Sequence, residues 1–218
     1  MLNTVIFDFD YTLGDSTKGI CLSINYALQQ MGYPIASPEE IACTIGLSLK
    51  ETFITLTSVD TASEIVKFSS LFKEMADRVM VAHTNLYEGV LESLHGLKEK
   101  GVKLAIVTSK YHYRIEQILS KFSAGDLIDI IVGAEDVKFE KPSPEGLLRA
   151  IETLQVNAEE VLYVGDSIVD AQAAQNANVK FAATLTGTTT RDELGKYRSV
   201  FMGNSVVDIY HFVIDGLQ

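Results

Sequence analysis

Two pairs of aspartates could do chemistry together. Asp8 and Asp10 follow one short apolar run, and Asp166 and Asp170 follow another such run much later in the chain. Four carboxylates crowded at one place repel one another unless they are protonated or bridged by a cation. A hard divalent metal with oxygen ligands relieves this repulsion, and Mg²⁺ suits a site that must also accept phosphate oxygens. The two pairs therefore predict a magnesium site, provided that the fold brings them together.

Three further polar residues, Thr108, Ser109 and Lys141, stand at comparable places after apolar runs. Each has an ordinary structural explanation by itself. Thr108 or Ser109 before a helix is typical of an N-cap, Lys141 is typical of a solvated loop, Asp10 could be a turn residue, and Asp166 could cap a helix. Their combination at one edge of a sheet is what favours a functional site.

Alternating strands and helices position these residues. Short apolar, β-rich runs predict strands, and periodic segments between them predict helices. The predicted strands are 4–7, 102–107, 128–132, 161–164 and 181–185, and the predicted helices between them are 89–100, 111–122, 143–154 and 168–177. This alternation indicates an α/β fold with a doubly wound parallel sheet. Ligands of such sheets bind beyond the carboxyl ends of the strands, where the polar residues described above fall.

One long stretch breaks the alternation. Residues 17–31, 38–44, 49–56 and 62–83 carry helical patterns, with no convincing strand between them. A helical stretch of this length after the first strand predicts an inserted unit that folds by itself. We therefore expect residues 1–14 and 87–218 to form a Rossmann-like catalytic core, and residues 15–86 to form a helical cap.

The composition excludes several classes of protein. The chain has 218 residues, of which 47% are hydrophobic and 22% are charged, as in folded globular proteins. A net charge of −11 makes nucleic acid an unsuitable partner, and an anionic substrate must be caught by local cations or a bound metal. Cys21 and Cys43 are too few for a disulfide scaffold. Since neither a signal-peptide pattern nor a membrane-spanning run is present, we expect a cytoplasmic protein with no membrane partner.

The order and types of these residues resemble the haloacid dehalogenase (HAD) superfamily of phosphohydrolases, especially its phosphoglycolate-phosphatase-like branch with a helical cap. Asp8-Phe9-Asp10-Tyr11-Thr12-Leu13 is similar to the first family motif, Thr108 to the second, Lys141-Pro142-Ser143-Pro144 to the third, and Gly165-Asp166-Ser167 with Asp170 to the fourth. The resemblance covers essentially the whole chain. Four motifs in order on alternating strands and helices are far more specific than the first motif alone.

This resemblance implies a phosphatase mechanism. Asp8 is expected to be the nucleophile that forms an aspartyl-phosphate, and Asp10 to act first as general acid and then as general base. Thr108 and Lys141 are expected to bind the phosphoryl oxygens. The implied function is Mg²⁺-dependent hydrolysis of a small phosphorylated metabolite.

Metal and substrate ligands are implied in the same way. Mg²⁺ is expected on Asp8, on the carbonyl of Asp10 and on Asp166, while Asp170 supports the metal from outside or through water. Ser109 in the core and Lys50 in the cap are the candidate substrate-binding residues. The identity of the substrate and the oligomeric state are left open.

Three positions depart from the family pattern. Tyr11 stands where most relatives carry glycine, which puts the backbone path of that loop in question. Asn178 also stands where relatives commonly carry glycine, a neutral change because asparagine tolerates left-handed φ. In the cap, the segment after Gly46 is similar to the family's Gly-Leu-Pro loop, with Ser48 in place of proline.

Other functions are compatible with parts of this pattern. A sugar phosphomutase, an isomerase, would retain every motif residue and differ only in the cap. A dehalogenase is disfavoured, because relatives with that activity lack an aspartate at the position of Asp10. A non-catalytic binding protein is disfavoured by the intact set of motif residues.

Overall fold

The computed structural model describes residues 2–217, which divide into two compact units. One unit contains the chain up to Asp15 and from Leu86 onward, and the other contains Ser16–Asn85. The chain therefore leaves the larger unit once and returns to it once.

The described residues form eight strands and ten α-helices. In chain order the strands are β1 (Thr4–Phe7), β2 (Gly14–Asp15), β3 (Asn85–Leu86), β4 (Lys103–Val107), β5 (Ile130–Val132), β6 (Val161–Gly165), β7 (Lys180–Thr184) and β8 (Phe201–Gly203). The helices are α1 (Thr17–Gln30), α2 (Pro38–Ala42), α3 (Leu49–Thr57), α4 (Ala62–Val79), α5 (Val90–Glu99), α6 (His112–Lys121), α7 (Glu145–Leu154), α8 (Ile168–Ala177), α9 (Arg191–Leu194) and α10 (Val206–Asp215).

The larger unit is built on a six-stranded parallel sheet with the order β5-β4-β1-β6-β7-β8. Strand β1 is fully buried and lies between β4 and β6. Its last residue, Phe7, pairs with Ile106 of β4 and with Val164 of β6. The three central strands thus end close together, and the loops that follow them leave the sheet at the same edge.

Helices cover both faces of this sheet. The chain moves from β1 through β4 to β5 in one direction, and from β6 through β7 to β8 in the other. Right-handed connections in opposite directions place their helices on opposite faces. In agreement, α5 packs against α10, and α7 packs against α8. The prediction of a doubly wound α/β fold is confirmed.

Most predicted elements agree with the structure, and the differences have local causes. The helix predicted over 62–83 ends at Val79, and the Thr84 hydroxyl then donates to the Met80 carbonyl at 2.8 Å. The strand predicted from residue 128 begins at Ile130, because a 3₁₀ turn occupies Gly125–Leu127 just before it. No elements were predicted after residue 185, where the structure has α9, β8 and α10.

The unit formed by Ser16–Asn85 is helical and has its own core. Helix α1 packs along α4, and a Cβ atom at Gly19 of α1 would lie only 2.8 Å from the Met80 Sδ atom. The rings of Phe53 and Phe68 lie 5.0 Å apart in the centre of this core. Among residues 2–217, no helix combines the length and the apolar character of a bilayer span.

Candidate active site

Three carboxylates meet at the edge where β1 and β6 end. Asp8 directly follows β1, Asp166 directly follows β6, and Asp170 lies in the first turn of α8. One carboxylate oxygen of each lies within 4.8 Å of the others, and all three side chains are buried. Together they provide the kind of oxygen ligands that Mg²⁺ prefers.

Lys141 joins two of these carboxylates. Its Nζ atom lies 2.9 Å from Asp8 Oδ1 and 2.6 Å from Asp170 Oδ1. Only 7% of Lys141 is exposed, so its interpretation as a solvated loop lysine is wrong. Burial alone would lower the pKa of Lys141, but the charges of Asp170 and Asp8 raise it instead. Lys141 is therefore a fixed positive charge next to the predicted nucleophile.

The carboxylate of Asp170 already accepts four hydrogen bonds. Oδ1 accepts from Lys141 and from the Tyr163 hydroxyl at 2.8 Å, and Oδ2 accepts from the Ser167 backbone N–H and hydroxyl at 3.1 and 2.6 Å. Burial would raise the pKa of Asp170, but the charge of Lys141 and these hydrogen bonds together lower it. An oxygen with two donors has little capacity for direct metal binding. This arrangement favours support of the metal through water.

Asp8 and Asp166 are not neutralised in the same way. Burial, followed by the charges of Asp170 and Asp8, raises the pKa of Asp166 well above its usual range. Burial also raises the pKa of Asp8 to about 6, although Lys141 opposes this shift. A bound divalent cation favours the ionised form of both carboxylates. The donors and their electrostatics therefore fit a magnesium ion.

Asp166 is enclosed by two other loops. Thr12 Oγ1 donates to Asp166 Oδ1 at 3.2 Å. A Cβ atom added at Gly187, in the loop after β7, would overlap Asp166 Oδ2. Because glycine has no side chain, this loop can approach the carboxylate without displacing it.

Tyr11 has the backbone conformation that glycine adopts easily. Its φ is +58°, in the left-handed region, where a bulky side chain is uncommon. The Tyr11 N–H donates to the Gly14 carbonyl at 2.8 Å, and the Thr186 hydroxyl donates to the Tyr11 carbonyl. These bonds hold the loop in the left-handed path despite the side chain. Asn178 is also left-handed, at φ +55°, as expected for its position after α8.

The segment after β4 contributes polar groups that do not cap helices. Helix α6 has Tyr111 at its N-cap position, so the N-cap interpretation of Thr108 and Ser109 is wrong. Thr108 is buried and accepts a hydrogen bond from the Lys110 backbone N–H at 3.2 Å, and Ser109 is half-buried. Helix α8 is capped by Ser167, so the cap interpretation of Asp166 is also wrong.

Sequence reasoning missed two residues at this edge. The Nζ atom of Lys110 lies 2.5 Å from Asp10 Oδ2, and the Tyr163 hydroxyl donates a hydrogen bond to Asp170 Oδ1. Lys110 could have been recognised, since it follows Thr108 at the end of a strand next to β1. Tyr163 lies within β6 and resembles any other buried strand residue, so its role had no clear signal.

Lys50 belongs to the helical unit. It is exposed in the first turn of α3, whose N-cap Ser48 forms a capping box with Glu51. Ser48, which departs from the Gly-Leu-Pro pattern of the resemblance, therefore begins the helix. Binding of substrate by Lys50 stays a prediction.

A family model described as haloacid dehalogenase-like hydrolase matches residues 5–184. The chain belongs to this family. Pyrophosphatase PpaX of Bacillus cereus (strain G9842) is 31% identical over 208 residues, which cover 95% of this chain and 94% of that protein. Pyrophosphatase PpaX of Bacillus thuringiensis (strain Al Hakam) is 30% identical over 214 residues, covering 98% and 97%.

Solved structures of the family share the fold. A Bacteroides fragilis protein assigned to the haloacid dehalogenase-like hydrolases has a TM-score of 0.93 and 38% identity, covering 96% of this chain and all of that one. A predicted phosphoglycolate phosphatase from Haemophilus somnus has a TM-score of 0.87 and 24% identity, covering 97% and 98%. The second likeness supports the fold alone.

Proposed function

We propose that this enzyme is a Mg²⁺-dependent phosphatase that hydrolyses a small phosphate monoester through an aspartyl-phosphate on Asp8. The observation that carries the proposal is the environment of Asp8. A buried carboxylate lies next to a fixed ammonium group, Lys141, and within a cluster of oxygens that can bind a metal. Asp10, two residues later, supplies a second carboxylate for proton transfer.

In the first step, an oxygen of Asp8 attacks phosphorus in line with the ester oxygen. The bond between phosphorus and the ester oxygen breaks, and Asp10 donates a proton to the leaving oxygen. Lys141 and the Thr108 hydroxyl bind the phosphoryl oxygens as their charge redistributes. The products of this step are the free alcohol and the aspartyl-phosphate.

In the second step, water attacks the phosphorus of the aspartyl-phosphate. Asp10, now ionised, accepts a proton from this water. The bond between phosphorus and the Asp8 oxygen breaks, which restores the Asp8 carboxylate and releases inorganic phosphate. Asp10 is thereby protonated again and ready for the next substrate.

Asp8, the Asp10 carbonyl and Asp166 would hold the metal, with Asp170 acting through water. When bound, Mg²⁺ reduces the repulsion between the Asp8 carboxylate and the phosphate dianion and orients the phosphoryl group. The carboxylates of this site cannot receive a dianion unaided, because the chain as a whole carries a charge of −11.

Relatives named pyrophosphatase make inorganic pyrophosphate a compound to test beside phosphate monoesters. Asp8 can attack phosphorus in a phosphoanhydride as it does in an ester. A phosphoanhydride has a better leaving group, so it depends less on proton donation by Asp10. Comparison of pyrophosphate with phosphorylated metabolites therefore defines the substrate class.

The test is a screen of phosphorylated metabolites and pyrophosphate, with Mg²⁺ and with excess EDTA. We expect activity only with the metal. Asp8→Asn should abolish phosphoenzyme formation, and Asp10→Asn should leave phosphorylation by good leaving groups but slow its breakdown. Full turnover in EDTA, or trapping of a phosphoryl analogue on a residue other than Asp8, would overturn the proposal.

A further inference from the structure

A second buried lysine lies at the carboxyl edge of the sheet, separate from Lys141. The Nζ atom of Lys110 lies 2.5 Å from Asp10 Oδ2, and each of these residues is only 7% exposed. Asp10 follows β1 and Lys110 follows β4, which is the neighbouring strand. The two aspartates of the first motif thus pair with different lysines: Asp8 pairs with Lys141, which also contacts Asp170, and Asp10 pairs with Lys110.

The backbone of Lys110 is fixed from two sides. Its N–H donates to Thr108 Oγ1 at 3.2 Å, and its carbonyl accepts from the Ala134 N–H at 2.9 Å. Ala134 begins the 3₁₀ turn that follows β5. The position from which the lysine side chain starts is therefore set by the loops after two strands. A side chain anchored in this way can hold its partner in one orientation.

The ion pair leaves the two oxygens of Asp10 in different situations. Oδ2 accepts from Lys110, whereas Oδ1 is buried and has no hydrogen-bond partner among residues 2–217. Buried polar atoms without a partner are uncommon in folded proteins, and each needs a physical reason. Proton exchange with a substrate oxygen or a water molecule is such a reason.

We infer that Lys110 is a positioning residue for the acid and base of the reaction. It holds Asp10 through Oδ2, so that Oδ1 remains open to the leaving oxygen in the first step and to water in the second. The inference rests on the proposed role of Asp10. Lys110 acts through Asp10, whereas Lys141 acts on Asp8 and the phosphoryl group.

Fold stability alone gives no reason for a lysine at this place. The desolvation penalty of a buried ion pair largely cancels its attraction, so an apolar pair of similar size serves stability as well. The Lys98–Asp129 pair has the same chemistry at 2.7 Å, but its side chains are about one-third exposed and it lies away from the motif residues. This pair provides a matched control.

The experiment compares two aryl phosphates whose leaving groups differ in basicity, phenyl phosphate and 2,4-dinitrophenyl phosphate, at saturating Mg²⁺. We expect Lys110→Met to lower kcat for phenyl phosphate by about tenfold or more, since the leaving oxygen then lacks an oriented acid. With 2,4-dinitrophenyl phosphate, we expect a burst of dinitrophenol equal to the enzyme concentration, followed by slow turnover. Lys98→Met should change neither result.

Two further variants separate positioning from other effects. In the Asp10→Asn background, Lys110→Met should lower kcat by less than about twofold, because residues that act as one unit are not additive. Lys110→Arg retains the charge and should recover part of the lost activity. If Lys110→Met fails to fold, the Arg variant and the double variant carry the test. The double variant removes the Asp10 carboxylate together with its counter-charge, so it leaves no unpaired buried charge.

The outcomes distinguish this inference from the proposed function. If Asp10→Asn leaves the dependence on the leaving group unchanged, the role of Asp10 itself is wrong. Two other results would overturn the inference, because they would mean that Lys110 does not act through Asp10. In the first, Asp10→Asn changes the dependence on the leaving group and Lys110→Met does not. In the second, Lys110→Met lowers kcat as much in the Asp10→Asn background as it does alone.

Discussion

In the proposed mechanism Asp8 must be ionised to attack phosphorus, yet much of its surroundings opposes its charge. Burial is the largest effect that raises its pKa, and Asp170 and Asp10 add like charges, while Lys141 opposes them. At Asp166 too, burial and neighbouring carboxylates raise the pKa, and Lys141 opposes them. A bound divalent cation would lower the pKa of Asp8 again, so the protonation of Asp8 is a measure of the metal site.

The first prediction concerns stability without metal. The pKa of Asp8 rises from 3.8 to about 6 on folding, so between these values the native state binds more protons than the unfolded chain. The stability due to protonated Asp8 is full below about pH 4 and is lost as the pH rises to about 6, a change on the order of 3 kcal/mol at most. Urea unfolding in EDTA should therefore show a flatter pH profile for Asp8→Asn than for the wild type.

Other carboxyl groups act at lower pH or, as for Asp166 with its raised pKa, are present in both proteins. Asp170 and several surface carboxylates have lowered pKa values, so the stability that they provide is lost only as the pH falls below about 4. The difference between wild type and Asp8→Asn reports the titration of Asp8, together with its effect on Asp166, in the window above that pH. Equal slopes for the two proteins between pH 4 and 6 would contradict the burial of a titrating Asp8.

The motif residues were predictable one by one, whereas their pairing was not. Carboxylates at the ends of adjacent strands must lie near each other, so the cluster of Asp8 and Asp166 follows from the strand order. Which lysine neutralises which carboxylate depends on the conformations of long lysine side chains, which the sequence pattern does not specify. Tyr163 was missed because neither its type nor its spacing distinguishes it from an ordinary strand residue, whereas the place of Lys110 after Thr108 was a usable signal.

At the scale of elements, a helix or strand was predicted correctly where its segment was long enough to show the hydrophobic periodicity of that element. Helix α8 was predicted over its observed range, and β1 likewise. Strand β8 has only three residues, too few for a period, and it pairs on one side only, at the edge of the sheet. Edge strands of this length are defined by their partner, here β7, and not by their own sequence.

The second prediction concerns the loop between β7 and α9. Gly187→Ala would place a methyl group against Asp166 Oδ2, so the carboxylate or the loop must move. We expect Mg²⁺ affinity, measured by calorimetry, to fall by about tenfold or more, as for other disturbances around a metal ligand. Gly125→Ala is the matched control, since a Cβ at Gly125 meets nothing within 4 Å. Unchanged affinity in Gly187→Ala would contradict the prediction, and would mean that the loop moves instead of the carboxylate or that Asp166 does not bind the metal.

The third prediction concerns the end of α7. Gln155 caps this helix in the left-handed conformation, at φ +53°, and is exposed. Glycine adopts this conformation without the steric penalty of a side chain, so Gln155→Gly should raise the free energy of unfolding by about 0.5–1 kcal/mol. Glu152→Gly, inside the same helix and also exposed, should lower it by about 1 kcal/mol. Thermal unfolding measures both, and a loss of stability in Gln155→Gly would contradict the cap.

At the scale of the whole molecule, charge explains why an acidic protein can bind an anion. Among residues 2–217, the carboxylates of Asp8, Asp10, Asp166 and Asp170 face two buried ammonium groups, those of Lys110 and Lys141. One divalent cation neutralises the difference when all four carboxylates are ionised. The site carries −2 of the chain's net charge of −11, so a charge of −9 lies elsewhere, where it disfavours polyanionic partners such as nucleic acid.

The last prediction decides between a hydrolase and a sugar phosphomutase. A mutase must hold a doubly phosphorylated intermediate while it turns over, which requires a second phosphate site with a strong cation, preferably the bidentate guanidinium of arginine. Between residues 16 and 85 the sequence has one arginine, Arg78, and its guanidinium donates to Glu74 at 2.7 Å near the end of α4. The cation in the segment after Gly46 is Lys50, a single ammonium group on an exposed side chain.

We therefore expect net hydrolysis of sugar phosphates and of other accepted monoesters. Inorganic phosphate should accumulate one for one with substrate loss, and a sugar bisphosphate should not activate the reaction. Phosphate release and phosphorus NMR of the sugar products, followed in the same sample, measure both quantities. Conversion of a sugar 1-phosphate to the 6-phosphate faster than phosphate release would contradict the prediction, because it would mean that the aspartyl-phosphate passes its phosphoryl group to a second sugar oxygen before water reaches it.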